Sequence, residues 1–140
     1  MQAFMPLLAL SSKNQEDPSR IINIGSIDGI QVPLMPNFSY SISKAAVHHL
    51  TRVLAKEFVS KSVLVNAIAP GPFPSEMLGK ALDYNYESVA RANPRKRVGT
   101  YEDIAALCIF LSSRASAYLT GTVIPCDGGA STLSHNAMIS

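Results

Sequence analysis

Two apolar runs, Arg20-Ile-Ile-Asn-Ile-Gly25 and Val63-Leu-Val-Asn-Ala-Ile-Ala69, constrain the fold of this 140-residue chain more than any other feature. Each is short and largely β-branched or apolar, the pattern of a strand buried on both faces of a parallel sheet. The residues between them supply a crossover. From Ser39 to about Ser60 the sequence reads as one long helix. Ile42, Ala46, Leu50, Val53 and Leu54 form its apolar stripe, and Arg52, Lys56 and Glu57 lie off it. A third run, Thr122-Val-Ile-Pro-Cys126, stops at Asp127-Gly-Gly129, and the last ten residues look loose.

The other segments fit the same alternation. Residues 1–10 read as the tail of a helix, with Phe4, Leu7 and Leu8 at helical spacing, and 11–19 as a loop. Pro70-Gly-Pro-Phe-Pro74 stops the second strand. Short helices are predicted around Glu76–Leu82 and Tyr86–Ala92. Thr100, with Glu102 and Asp103 in the first turn, caps a helix whose apolar face carries Ile104, Cys108 and Leu111. Strands alternating with helices predict an α/β layer fold with a parallel sheet and right-handed crossovers. Ligands in such sheets bind beyond the carboxyl ends of the strands, here the loops after Gly25, Ala69 and Cys126.

Composition narrows the function. Hydrophobic residues make up 47% and charged residues 16%, the balance of one soluble globular domain. A net charge of +2, with Arg95-Lys96-Arg97 as the only basic cluster, argues against nucleic acid as a partner. Cys108 and Cys126 have neither metal-ligand spacing nor a disulfide framework. They read as buried free thiols of a reducing, cytoplasmic compartment, and no metal site is expected. Residues 1–10 have no basic residue ahead of Lys13, unlike a secretory leader, and no apolar run is long enough for a membrane span.

Chemistry concentrates at the start of the long helix. Tyr40 and Lys44 are four apart, hence on one face. An ammonium beside a phenol favours the ionised form, which makes a tyrosine a usable proton donor and acceptor. Ser26 follows the first strand, where a hydroxyl can donate to a substrate carbonyl oxygen as charge develops on it. Taken alone, Ser26 reads as a turn residue. His48 and His49 read as packing or subunit-interface residues, and Asn66 as structural.

In this order, Ile21-Ile-Asn-Ile-Gly-Ser-Ile-Asp-Gly29, Tyr40-Ser-Ile-Ser-Lys44-Ala-Ala, Asn66-Ala-Ile-Ala-Pro70-Gly71, Arg97-Val-Gly99 with Glu102-Asp-Ile-Ala, and Thr120-Gly-Thr-Val-Ile-Pro-Cys-Asp-Gly-Gly129 resemble the short-chain dehydrogenase/reductase family over about residues 1–130. The 3-oxoacyl-thioester reductase-like members are the most similar. The resemblance implies a partial doubly wound, Rossmann-like parallel sheet of about three strands with flanking helices. It implies hydride transfer between NADP or NAD and a carbonyl or alcohol substrate. By position it makes Ser26, Tyr40 and Lys44 catalytic: Ser26 orients the substrate oxygen, Tyr40 exchanges the proton, and Lys44 holds the nicotinamide ribose. Pro70, Gly71, Phe73 and Ser75 join Tyr40 and Lys44 in binding the cofactor. Ser75 stands where the family usually has threonine.

The family's Gly-rich pyrophosphate turn does not occur in this sequence. The resemblance therefore implies that residues 1–140 are the C-terminal portion of a single domain without its nucleotide-binding segment. It further implies an open edge on the first strand, poor solubility, and no activity of the chain by itself. The family also suggests a homodimer or homotetramer. The alternative is a non-catalytic product that docks on a full-length relative through the long helix and the helix remnant at residues 1–10.

Overall fold

The computed structural model describes residues 2–12, 16–33, 36–83 and 85–132. Three strands, β1 (Ser19–Ile24), β2 (Val63–Pro70) and β3 (Val123–Cys126), form a parallel sheet in the order β1-β2-β3. Ser19 pairs with Val63 and Ile24 with Ile68, and the β2–β3 ladder runs from Ala67–Val123 to Pro70–Cys126. All three carboxyl ends therefore point the same way. Residues 133–140, where looseness is expected, lie outside the described residues.

Position in the sheet explains burial. β2 has a neighbour on each side, and its residues Val63–Ala69 are all buried. Burying an Ile or Val side chain fully contributes about 1.5–3 kcal/mol, so β2 anchors the layer. β1 departs from the expected double burial. It has one strand neighbour, its residues are half-buried, and Ile24 is exposed.

The helices are α1 (Met5–Ser11), α2 (Phe38–Phe58), α3 (Glu76–Ala81), α4 (Glu87–Ala92) and α5 (Tyr101–Ser112). Pro6 sits in the first turn of α1, where its missing N–H costs nothing. Ala55 and Phe58 of α2 form one core with Val63 and Val65, joined by Met5, Leu8, Ile21 and Leu54. Beyond α2 a short 3-10 turn ends at Ser62, which takes left-handed backbone angles (φ 54°) and redirects the chain into β2. α5 packs against β1 and β2. Its first turn is closed by Thr100 and Asp103, each side chain accepting from the other's backbone N–H.

The apolar stripe expected along α2 is not the face that meets the sheet. Ile42 is 70% exposed, and Ala46, Leu50 and Val53 are exposed as well; of the five, only Leu54 reaches the core. The buried face carries His48, Thr51, Ala55 and Phe58. Its polar members are satisfied: the Thr51 hydroxyl accepts from Asn23 and donates to the Val47 carbonyl. In α1, likewise, Phe4 and Leu7 are exposed while Leu8 packs inward.

Candidate active site

The exit of β1 is tied down on α2. Ser26 is 7% exposed and has extended backbone angles. Its hydroxyl oxygen accepts from the Asp28 N–H at 3.2 Å and so caps the 3-10 turn Ile27–Gly29. The turn lies directly against the helix: a Cβ built on Gly29 comes within 2.7 Å of the Ala45 nitrogen and of the Lys44 carbonyl carbon. Only a residue without a side chain fits there. The far end of the loop is held by Asn37, whose side-chain amide donates to Asp28 at 2.7 Å and whose carbonyl accepts from the Ser41 N–H. Ser26 is thus a turn residue, and its turn rests through Gly29 on the Lys44–Ala45 backbone. Capping occupies a lone pair of its hydroxyl and leaves the O–H to donate.

Tyr40 and Lys44 meet as their spacing requires. The Lys44 ammonium lies 5.5 Å from the centroid of the Tyr40 ring and donates to the Ile24 carbonyl at 3.1 Å. One of its three N–H groups is therefore engaged at the end of β1. The Tyr40 hydroxyl has no hydrogen-bond partner among the described residues.

The loop after β2 leaves the same end of the sheet. Gly71 N–H donates to the Cys126 carbonyl at 3.0 Å, extending the ladder past Pro70. Gly99 N–H donates to the Pro72 carbonyl at 2.9 Å, and the Phe73 ring lies on Gly99, where a Cβ would fall 2.4 Å from the ring. That support is itself fixed. Arg97 pairs with Asp103 of the α5 cap, whose carboxyl the guanidinium holds well below the usual carboxylate range. Ser75 accepts from the Leu78 N–H and caps α3, again leaving its O–H to donate. Ile27, Ala69 and Ala130 share one apolar cluster with Val123, which binds the exits of all three strands together.

Two clefts lie near the strand exits and the start of α2. A cleft of about 390 Å³ beyond β2 and β3 is lined by Phe73, Arg97, Cys126 and Asp127, among others. A second, apolar cleft of about 350 Å³ lies between Val32, Pro33 and the start of α2. Tyr40, Lys44 and Ser26 line neither. Burial pushes the Cys126 thiol up, so it stays protonated at neutral pH and is a poor nucleophile. Asn66 is structural: it donates to the Leu119 carbonyl and accepts from the Thr122 N–H.

His48, expected as a packing or subunit-interface residue, is packed inside, although the apolar stripe did not include it. It is 4% exposed and reaches the turn that carries Ser26, with Nε2 3.4 Å from the Ser26 N–H and Nδ1 3.3 Å from the Gly29 carbonyl. Two signals were present: His48 lies four residues past Lys44, and Gly25 and Gly29 leave room for a ring. His49 is exposed.

The family profile described as enoyl-(acyl carrier protein) reductase matches residues 1–131. The rhamnolipids biosynthesis 3-oxoacyl-[acyl-carrier-protein] reductase of Pseudomonas aeruginosa is 45% identical over 135 residues, 92% of this chain and 51% of that protein. The galactitol 2-dehydrogenase (L-tagatose-forming) of Cereibacter sphaeroides is 42% identical over 113 residues, 78% of this chain and 44% of that one. Among solved structures, the Pseudomonas aeruginosa RhlG/NADP active-site complex superposes with a TM-score of 0.85 at 44% identity, covering 93% of this chain and 53% of its own. The chain spans about half the length of the curated relatives it matches.

Proposed function

The chain belongs to the short-chain dehydrogenase/reductase family, and on that premise we propose that residues 1–140 are the C-terminal portion of a single dehydrogenase domain. Its reaction is hydride transfer between NADP(H) or NAD(H) and a small carbonyl/alcohol pair. The observation that carries this reading is the Lys44 ammonium on the Tyr40 ring, beside the turn that holds Ser26. The relatives' names, a 3-oxoacyl-[acyl-carrier-protein] reductase and a galactitol dehydrogenase, support a carbonyl or alcohol substrate. The 3-oxoacyl thioester is our choice between them, because that relative shares more of this chain.

The residues present fit the nicotinamide half of such a cofactor. Lys44 keeps two N–H groups for ribose hydroxyls after its bond to Ile24. Pro70, Gly71 and Phe73 offer a stiff, pinned backbone, and Ser75 a hydroxyl hydrogen. A bound reduced nicotinamide supplies the hydride. The chain's own residues do the rest. Ser26 donates to the substrate oxygen and fixes its direction. Tyr40 passes its proton to that oxygen, and the Lys44 charge stabilises the phenolate left behind. In the oxidative direction the same atoms run in reverse.

The test needs a nucleotide grip, so it uses a chimera in which the half of the Pseudomonas aeruginosa reductase not matched here precedes Met1. Reduced-nicotinamide consumption with a 3-oxoacyl thioester is expected. A well-folded chimera that binds NADPH but reduces neither thioester nor sugar ketone contradicts the reading.

One observation favours a second role. The outward apolar faces of α1 and α2, with Leu7, Leu10, Ile42, Leu50 and Val53 exposed, support pairing through these helices. The partner is a second copy, in a homodimer or homotetramer, or a full-length relative. Cytoplasmic residence belongs to the same reading and is supported by the free thiols Cys108 and Cys126. Among the described residues, no helix is long and apolar enough to cross a membrane.

A further inference from the structure

Among the described buried residues, His48 is the only one with a titratable side chain, and the reaction above leaves it without a task. Its surroundings are specific. A Cβ on Gly25 would fall 2.0 Å from Nε2, and one on Gly29 2.9 Å from Cε1, so the ring fills a slot that two glycines leave open. The four-residue turn Ser26–Gly29 is closed by the Gly29 N–H donating to the Ser26 carbonyl at 3.0 Å. That closure leaves the Ser26 N–H and the Gly29 carbonyl without a backbone partner among the described residues. The imidazole meets both, at 3.4 Å and 3.3 Å. An amide can only donate and a carbonyl can only accept. Nε2 must therefore be the bare nitrogen, and Nδ1 must carry the proton. Neutral imidazole satisfies both ends of the turn; imidazolium, with two donors, and an aliphatic side chain, with none, do not.

We propose that His48 is a positioning residue: in its neutral Nδ1–H form it bridges the two ends of the turn carrying Ser26, and protonation releases that turn. This deepens the catalytic reading of Ser26 and rests on it. The groups around the ring keep it neutral. Burial does most, and Arg52 and Lys44 on its own helix repel a second charge, while the bond to Gly29 works the other way. The turn contributes Asp28, whose carboxylate is engaged by Asn37. β1 contributes the uncharged Asn23, and β2 no charged residue.

The test uses the chimera and NMR, and needs no turnover. Two-bond nitrogen–proton correlations should show the Nδ1–H tautomer of His48 at neutral pH. On acidification the Ser26 amide resonance should move with the His48 titration, below the ordinary 6.5. In His48→Leu, hydrogen exchange at the Ser26 amide should rise about tenfold or more. The Gly25 amide, which donates to the Ile68 carbonyl at 2.7 Å, should not change. His48→Gln, which offers both an acceptor and a donor, should recover part of the protection. An Nε2–H tautomer, or a Ser26 amide indifferent to both the titration and His48→Leu, overturns the proposal. If His48→Leu does not fold, the wild-type tautomer and co-titration still decide. In the chimera, turnover unaffected by Ser26→Ala overturns the catalytic reading of Ser26 while leaving the bridge itself standing.

Discussion

The Lys44 ammonium lies 5.5 Å from the centre of the Tyr40 ring while donating to the carbonyl that ends β1. One cation thus couples the helix bearing the phenol to the strand exit bearing Ser26. Lys44→Met removes the charge and keeps the length. In the chimera it is expected to lower kcat/KM by about 100-fold or more and to weaken NADPH binding. Lys44→Arg should restore little, because a planar guanidinium does not reproduce a compact ammonium. Steady-state kinetics with a cofactor titration separates the two effects.

Gly29 has no room for a side chain, since a Cβ there meets the Lys44–Ala45 backbone at 2.7 Å. Gly29→Ala should lift the Ser26 turn off α2. Displacement of about 1 Å costs on the order of 100-fold in rate, and overpacking costs about 1–3 kcal/mol of stability. Urea unfolding and kinetics, both of the chimera, read the two consequences separately.

Asp127 closes the last strand by accepting from the Gly129 N–H at 2.9 Å and the Ser131 N–H at 2.7 Å. Burial raises its pKa, but these bonds outweigh burial and hold it below its ordinary 3.8. A carboxyl depressed in the folded state binds fewer protons there than when unfolded. Its contribution is therefore complete above pH 3.8 and lost as pH falls through the folded value. Asp127→Ala should cost about 2 kcal/mol at neutral pH and flatten the acid limb of a urea-midpoint profile.

The outward stripe of α2 should matter for assembly rather than folding. Ile42→Glu with Leu50→Glu changes two exposed side chains. Sedimentation should show a shift toward the monomer, with unfolding free energy changed by only about 0.5 kcal/mol per site. Unaltered assembly would move the contact surface elsewhere.

The sheet was legible because β2 carries an apolar run that fits little else, and α2 because its length exceeds any loop; its observed span, Phe38–Phe58, begins one residue before the expected start. Its orientation was not legible. Periodicity counts Ile42, Leu50 and Val53 as core, but His48 and Thr51 can face inward because Ser26, Gly29 and Asn23, far away in sequence, supply their partners. Apolarity along one helix carries no record of those bonds. β1 misled for a related reason: its run Ile21-Ile-Asn-Ile24 reports what can be buried, and burial depends on how many strands flank it. Tyr40 and Lys44 were legible because four-residue spacing on a helix fixes a shared face, whereas the seating of the Ser26 turn on α2 depends on Gly29, whose role appears only in three dimensions.

The central claim is that Tyr40 delivers the proton. Turnover of a 3-oxoacyl thioester by the chimera carrying Tyr40→Phe measures it most directly. A drop of about 100-fold to 10,000-fold, with NADPH affinity held within a few-fold of the parent, is the predicted result. Turnover within a few-fold of the parent would contradict it.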